Sequence, residues 1–159
     1  MSSSHPAGRF QSSLEERISV LIFRAADFAG QLSEELFRPH GLTATQYNVL
    51  RILRGAGPEG LPCKSVGDRM ISHDPDMTRL LDRMEKRGLT VRERQKDDRR
   101  VVKTRITALG LDLLKKLDQP VRELHRKKYE HISAAKLKQL AELLEECQKP
   151  PSGADLEES

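Results

Sequence analysis

Residues 71–89 read ISHDPDMTRLLDRMEKRGL, and the way this stretch begins and ends decides what the chain is. Asp74 is placed to cap a helix N-terminus, Pro75 suits the first helical position, and Asp76 adds negative charge at the positive end of the helix dipole. Met77, Leu80, Leu81 and Met84 follow at steps of three and four, which gives one buried stripe. Gly88 is where a left-handed residue would end the helix. The expectation is a short, well-capped helix whose other face carries Thr78, Arg79, Arg83 and Lys86.

The next stretch, residues 94–107, reads RQKDDRRVVKTRIT. Leu89–Arg94 and Val101–Thr107 alternate as strands do around a polar connection at 95–100, so a basic hairpin is expected there. Upstream, a short helix over Lys64–Met70 follows Leu61-Pro62. A short helix, a tight connection and a capped second helix make a helix-turn-helix, and a hairpin directly after it is a wing.

Longer helices flank this unit. Apolar residues from Leu14 to Leu36 (Ile18, Leu21, Ile22, Ala25, Phe28, Ala29 and Leu32 between them) predict an amphipathic helix that ends before Pro39 and Gly41. Thr43, with Gln46 three residues on, predicts a capping box for a helix that stops at Gly55–Pro58. Thr107 and Ser133 are placed to cap two more helices, rich in leucine. The fold class expected is mainly α with a small β-hairpin wing: a winged helix-turn-helix over 42–107, with a helical lobe from 13–38 and 108–148. Residues 1–12 are expected to be flexible, and the acidic tail at 149–159 disordered.

Composition narrows the partners. The 159-residue chain carries 28 Lys and Arg against 24 Asp and Glu, a net charge of only +4. From Arg79 to Arg105, however, eleven basic residues face five acidic ones, so the positive field is concentrated in the segment containing the helix and the wing. Aromatic residues are 4% and Trp is absent, which argues against a base-stacking surface for single strands. The start of the chain lacks the pattern of a signal peptide, and no apolar run approaches the roughly 20 residues that span a bilayer. A soluble, cytoplasmic protein without membrane partners is expected.

A helix fits the major groove of duplex DNA, and its N-terminal residues reach base edges. Here those are Asp76, Met77, Thr78 and Arg79, with Arg83 one turn later. Arginine pairs with guanine, and threonine offers a hydroxyl or a methyl group. Asp76 either accepts from a cytosine amino group or serves the helix terminus. The competing reading is a solvated face on which Arg79, Asp82, Arg83 and Lys86 pair with one another. The wing tips the balance: an arginine at a hairpin tip can enter a narrow minor groove. Asp98 is read as positioning Arg99 or Arg100, and Lys96, Lys103 and Arg105 as phosphate contacts.

Asp98, Arg100 and the Ile106-Thr107 pair, preceded by TRLLDRMEKRGL and followed by Gly110, resemble the MarR family of bacterial winged-helix regulators over about residues 14–147. The resemblance implies a homodimer in which the first and last two helices form the dimerisation lobe and each subunit offers one winged helix to a palindromic operator. It further implies a repressor released by a small phenolic or lipophilic effector, or by oxidation. Broad leucine stripes on the terminal helices point to the dimer independently, if weakly.

Rival readings find less support. The sequence contains no HExxH, phosphate loop or GxSxG, so no enzyme, cofactor or metal site is expected. His125 and His131 lie six residues apart, a poor spacing for one helical face, and read as surface or interface side chains. Cys63, near a helix start, reads as a partly buried residue and Cys147 as packing in the last helix; the two form no CxxC pair. A winged helix used only for protein–protein contact is the alternative function, but it needs no arginine pair at its wing tip. If the wing enters a phosphate-lined groove, Arg100→Ala will weaken duplex binding and reduce the slope of log affinity against log salt by about one unit, measured by titration across salt.

Overall fold

The computed structural model of the chain describes residues 13–71, 76–95 and 101–149. The expected flexible N-terminus, and all but the first residue of the expected acidic tail, lie outside these. Two compact units divide between Asp118 and Gln119.

The elements follow from local rules. Ser13 and Glu16 form a reciprocal cap for α1 (Leu14–Phe37), with N–H···O distances of 3.2 and 2.9 Å. A 3-10 turn over Arg38–His40 then leads to α2 (Ala44–Ala56). The expected capping box opens α2: the Gln46 N–H donates to Thr43 Oγ1 at 3.1 Å and the Thr43 N–H to Gln46 Oε1 at 3.3 Å. After β1 (Leu61–Pro62) come α3 (Cys63–Asp68) and α4 (Met77–Lys86), then β2 (Thr90–Arg94), β3 (Val102–Ile106), α5 (Ala108–Tyr129) and α6 (Ala134–Cys147), which Ser133 caps as expected.

The hairpin is part of a three-stranded antiparallel sheet of order β1-β3-β2. Sequence reading did not anticipate β1. It is two residues long and includes a proline, which a sheet tolerates only on an edge strand such as this one. Leu61 pairs with Thr104 and Pro62 with Lys103, while β2 runs against β3 from Thr90↔Ile106 to Arg94↔Val102.

The core of the first unit gathers Val49, Leu50 and Leu53 of α2, Val66 of α3, Leu80, Leu81 and Met84 of α4, and Leu114 and Leu117 of α5, all nearly inaccessible. The α1 stripe read from the sequence contributes little here. Residues 14–28 are exposed, and the buried side chain of α1 is Phe37. Its ring stacks on Tyr47 with centroids 4.2 Å apart.

Two glycines fix how the helices meet the sheet. Gly88, at φ 69°, ends α4 with its N–H donating to the Glu85 carbonyl at 2.8 Å while the Leu89 N–H donates to Met84 at 3.0 Å, a doubly bonded left-handed stop. Gly110 lies where α5 touches the hairpin: a Cβ there would sit 2.6 Å from the Leu89 carbonyl oxygen and 2.7 Å from Ile106 Cγ1. Between them, the Thr107 hydroxyl donates to the Gly88 carbonyl at 2.6 Å and accepts from the Gly110 N–H at 3.2 Å. Gly110→Ala is therefore expected to cost about 1–3 kcal/mol by overpacking against backbone, read as a lower melting temperature in thermal denaturation.

Candidate nucleic-acid interface

α4 carries its charge on one face because its other face is fully used. Leu80, Leu81 and Met84 are buried, and Thr78, Arg79, Arg83 and Lys86 are exposed. The helix begins later than the sequence suggests. Asp76, not Asp74, is the N-cap: its carboxylate accepts from the Arg79 N–H at 3.4 Å. Two aspartates flank Pro75 in the sequence, and either satisfies the local rule. Asp74, Pro75 and His73 lie outside the described residues. As a cap, Asp76 serves the helix terminus, and it also holds the Arg79 guanidinium at 3.3 Å in an ion pair whose arginine side chain is 79% exposed.

The acids of α4 do not pair along the helix. Asp82 and Glu85 both turn to Arg92 on β2, whose Nη2 lies 2.7 Å from Asp82 Oδ1 and 2.7 Å from Glu85 Oε2. Arg92 Nε donates to the same Glu85 oxygen at 2.8 Å, and its backbone N–H donates to Glu85 Oε1 at 2.8 Å. These hydrogen bonds hold the Glu85 carboxyl below its usual range and raise the Arg92 guanidinium. The competing reading of a self-paired solvated face thus fails for Asp82. Arg83 and Lys86 make no ion pair among the described residues. The far end of α4 is tied as well, because Arg87 Nη1 donates to Gln46 Oε1 at 3.1 Å, inside the α2 capping box.

In the wing, β2 and β3 form as strands as expected, but burial does not alternate along them: on β2 it falls from buried Thr90 to exposed Glu93 and Arg94, and on β3 Thr104 is the buried residue. The Gln95 N–H donates to the Val101 carbonyl at 3.0 Å and closes the stem. Lys96, Asp98, Arg99 and Arg100 at the tip lie outside the described residues. Lys103 sits 4.0 Å from Glu59, and Arg105 is paired with Glu93 while also reaching the Pro58 carbonyl at 3.4 Å. Both expected phosphate contacts therefore already have protein partners. Arg105 also lines, with Arg54, Pro58, Val91, Ile106 and Leu111, an open cleft of about 510 Å³. Sequence reasoning left out three exposed cations on the same elements: Lys64 of α3, Arg69 just after it and Arg94 at the end of β2. Their signal was their position on the first helix of the helix-turn-helix and beside the wing tip.

The remaining candidates stay scattered. His40, His125 and His131 are exposed, and no cluster of metal-ligating side chains occurs among the described residues. Cys63 is half-buried as expected, but Cys147 is exposed rather than packed.

Known proteins with this architecture are regulators. A MarR transcription factor from Planctomyces limnophilus is 40% identical, with 86% of this chain and 98% of that one aligned at a TM-score of 0.65. The chain belongs to the MarR family. The model of the MarR family matches residues 42–102, from the start of α2 into β3, which places the chain among DNA-binding transcriptional regulators. The homoprotocatechuate degradative operon repressor of Escherichia coli is 26% identical over 133 residues, 84% of this chain and 88% of its own length. A MarR variant from Escherichia coli, solved with operator DNA, is 25% identical with a TM-score of 0.77 over 87% of this chain and all of that one. Arg79→Ala is expected to cost about 1–3 kcal/mol at the cognate operator and less on a scrambled duplex, read by fluorescence anisotropy with both.

Proposed function

We propose that this MarR-family regulator is a cytoplasmic, homodimeric repressor that reads a palindromic operator and releases it on binding a small phenolic or lipophilic effector. The observation that carries the reading is the outer face of α4: Arg79 and Arg83 are exposed one turn apart while Asp82 and Glu85 are drawn off to the sheet. Arginines so placed suit guanine edges in the major groove, with Thr78 beside them. The wing tip, with Asp98 positioning Arg99 or Arg100 and Lys96 on phosphate, is assigned the neighbouring minor groove. Lys103 and Arg105 would reach phosphates only by leaving Glu59 and Glu93.

The dimer is supported by apolar surface. On α1, Ile18, Leu21, Ile22 and Phe28 are exposed along one side, and on α6 so are Leu140, Leu143 and Leu144. A second copy of the chain is the natural cover for such faces, and two-fold symmetry would set two half-sites about 34–36 Å apart. The effector class is supported by the resemblance and by the name of the relative that represses a homoprotocatechuate degradative operon, since homoprotocatechuate is a phenolic acid.

The test is a titration of duplex DNA from around the chain's own gene, across salt, with sedimentation of the free protein. Tight, salt-steep binding by a dimer is expected. Leu140→Glu with Leu144→Glu should yield a monomer whose operator affinity is at least tenfold lower, roughly, because its half-sites no longer bind as a pair. Failure to bind any duplex at low salt would refute the reading and leave a protein-interaction module.

A further inference from the structure

We infer that Arg92, Asp82 and Glu85 form a clamp that sets the wing against the recognition helix α4, so that Arg92 acts on the operator as a positioning residue without touching DNA. The inference rests on the DNA-binding reading for its effect on affinity, though not for the clamp itself.

The geometry is specific to a clamp. β2 is an edge strand, and its Arg92 N–H points to Glu85 at 2.8 Å rather than into the ladder with β3. An edge amide left open is a weak point of any sheet; here a carboxylate from α4 fills it. The second Glu85 oxygen takes Arg92 Nε and Nη2, and Nη2 also reaches Asp82. One residue of the wing is thus fixed to the helix through its main chain and its side chain together. The planar guanidinium serves two carboxylates at once, which the point charge of a lysine would not reproduce.

The position is equally informative. Glu85 is the last residue but one of α4, and Arg92 is the middle residue of β2. Between them the chain reverses through Gly88; β3 is held to the body by β1 and by the Thr107 contact, while on the outer strand β2 the clamp adds a direct tie to α4. Arg92 is also surrounded by carboxylates, so its own charge is compensated and is a poor source of attraction for phosphate.

Full-length Arg92→Gln and Glu85→Gln proteins separate these roles. In the free proteins, amide hydrogen exchange of β2 and of the last turn of α4 should rise roughly tenfold or more, as expected for loss of a charged, multiply bonded contact. On the operator, hydroxyl-radical protection by the wing should fade while guanine protection by α4 persists, with affinity down roughly tenfold and the salt slope unchanged. The exchanged pair Arg92→Glu with Glu85→Arg should recover part of the wing protection. Glu85→Gln, the milder change, decides the matter if Arg92→Gln does not fold. Unchanged exchange at β2 would overturn the clamp whether or not the protein binds DNA. A salt slope reduced by about one unit, with no recovery in the exchanged pair, would make Arg92 a direct phosphate contact and overturn the positioning role. If the wild-type protein bound no duplex at all, the DNA-binding reading would fall while the exchange measurement still judged the clamp.

Discussion

The guanidinium of Arg92 holds two carboxylates that would otherwise stand beside the arginines of α4. Isolated surface ion pairs contribute little to stability, typically about 0–1 kcal/mol. This contact differs in being shared among three residues, half-buried, and bonded through a backbone amide as well. Its larger effect is on the field. Asp82 and Glu85 would screen Arg79, Arg83 and Lys86 if they paired along the helix. Drawn instead toward β2, they leave one flank of the helix face positive without any change in composition. The same contact occupies the outward amide at the middle of the edge strand, so charge placement and strand protection come from one arrangement.

Much of the architecture was legible because helix ends are written locally. Thr43 with Gln46, Ser133 and Gly88 each do what their neighbours within a few residues imply. Thr107, read as a helix cap, adds a bond to the Gly88 carbonyl that its sequence neighbourhood did not reveal. Where two local solutions coexist, the sequence does not choose. Aspartates stand on both sides of Pro75, and it is Asp76 that caps α4. β1 was invisible because two residues cannot show a period, and a proline argues against a strand until a partner edge is known. The α1 stripe was read correctly as apolar, yet its first half is exposed among the described residues, whereas Phe37, outside that stripe, is buried on Tyr47.

The candidate site was legible in outline and less so in detail. The surplus of positive charge from Arg79 to Arg105 is real, but charge in a sequence carries no record of its partners. Arg87 is spent on Gln46, Arg92 on two acids, and Lys103 and Arg105 on Glu59 and Glu93. Each of these partners lies seven or more residues away, beyond the reach of an i,i+4 rule. Among the described residues, what remains outward is narrower than the sum suggests: the exposed face of α4, with Lys64, Arg69 and Arg94 at its margins.

The Thr107 contact has a consequence for how this scaffold tolerates change. Its hydroxyl meets Gly88 and its N–H donates to the Leu89 carbonyl at 3.1 Å, so the two ends of the hairpin are bonded to each other where it begins and ends. The hairpin is therefore a closed excursion, and the entropy of closing it is settled at its base and not at its tip. Lengthening such a loop adds only slowly to that entropy. A change in the number of residues joining β2 to β3 therefore costs little so long as this base is kept, and α4 and α5 keep their places whatever the length of the connection.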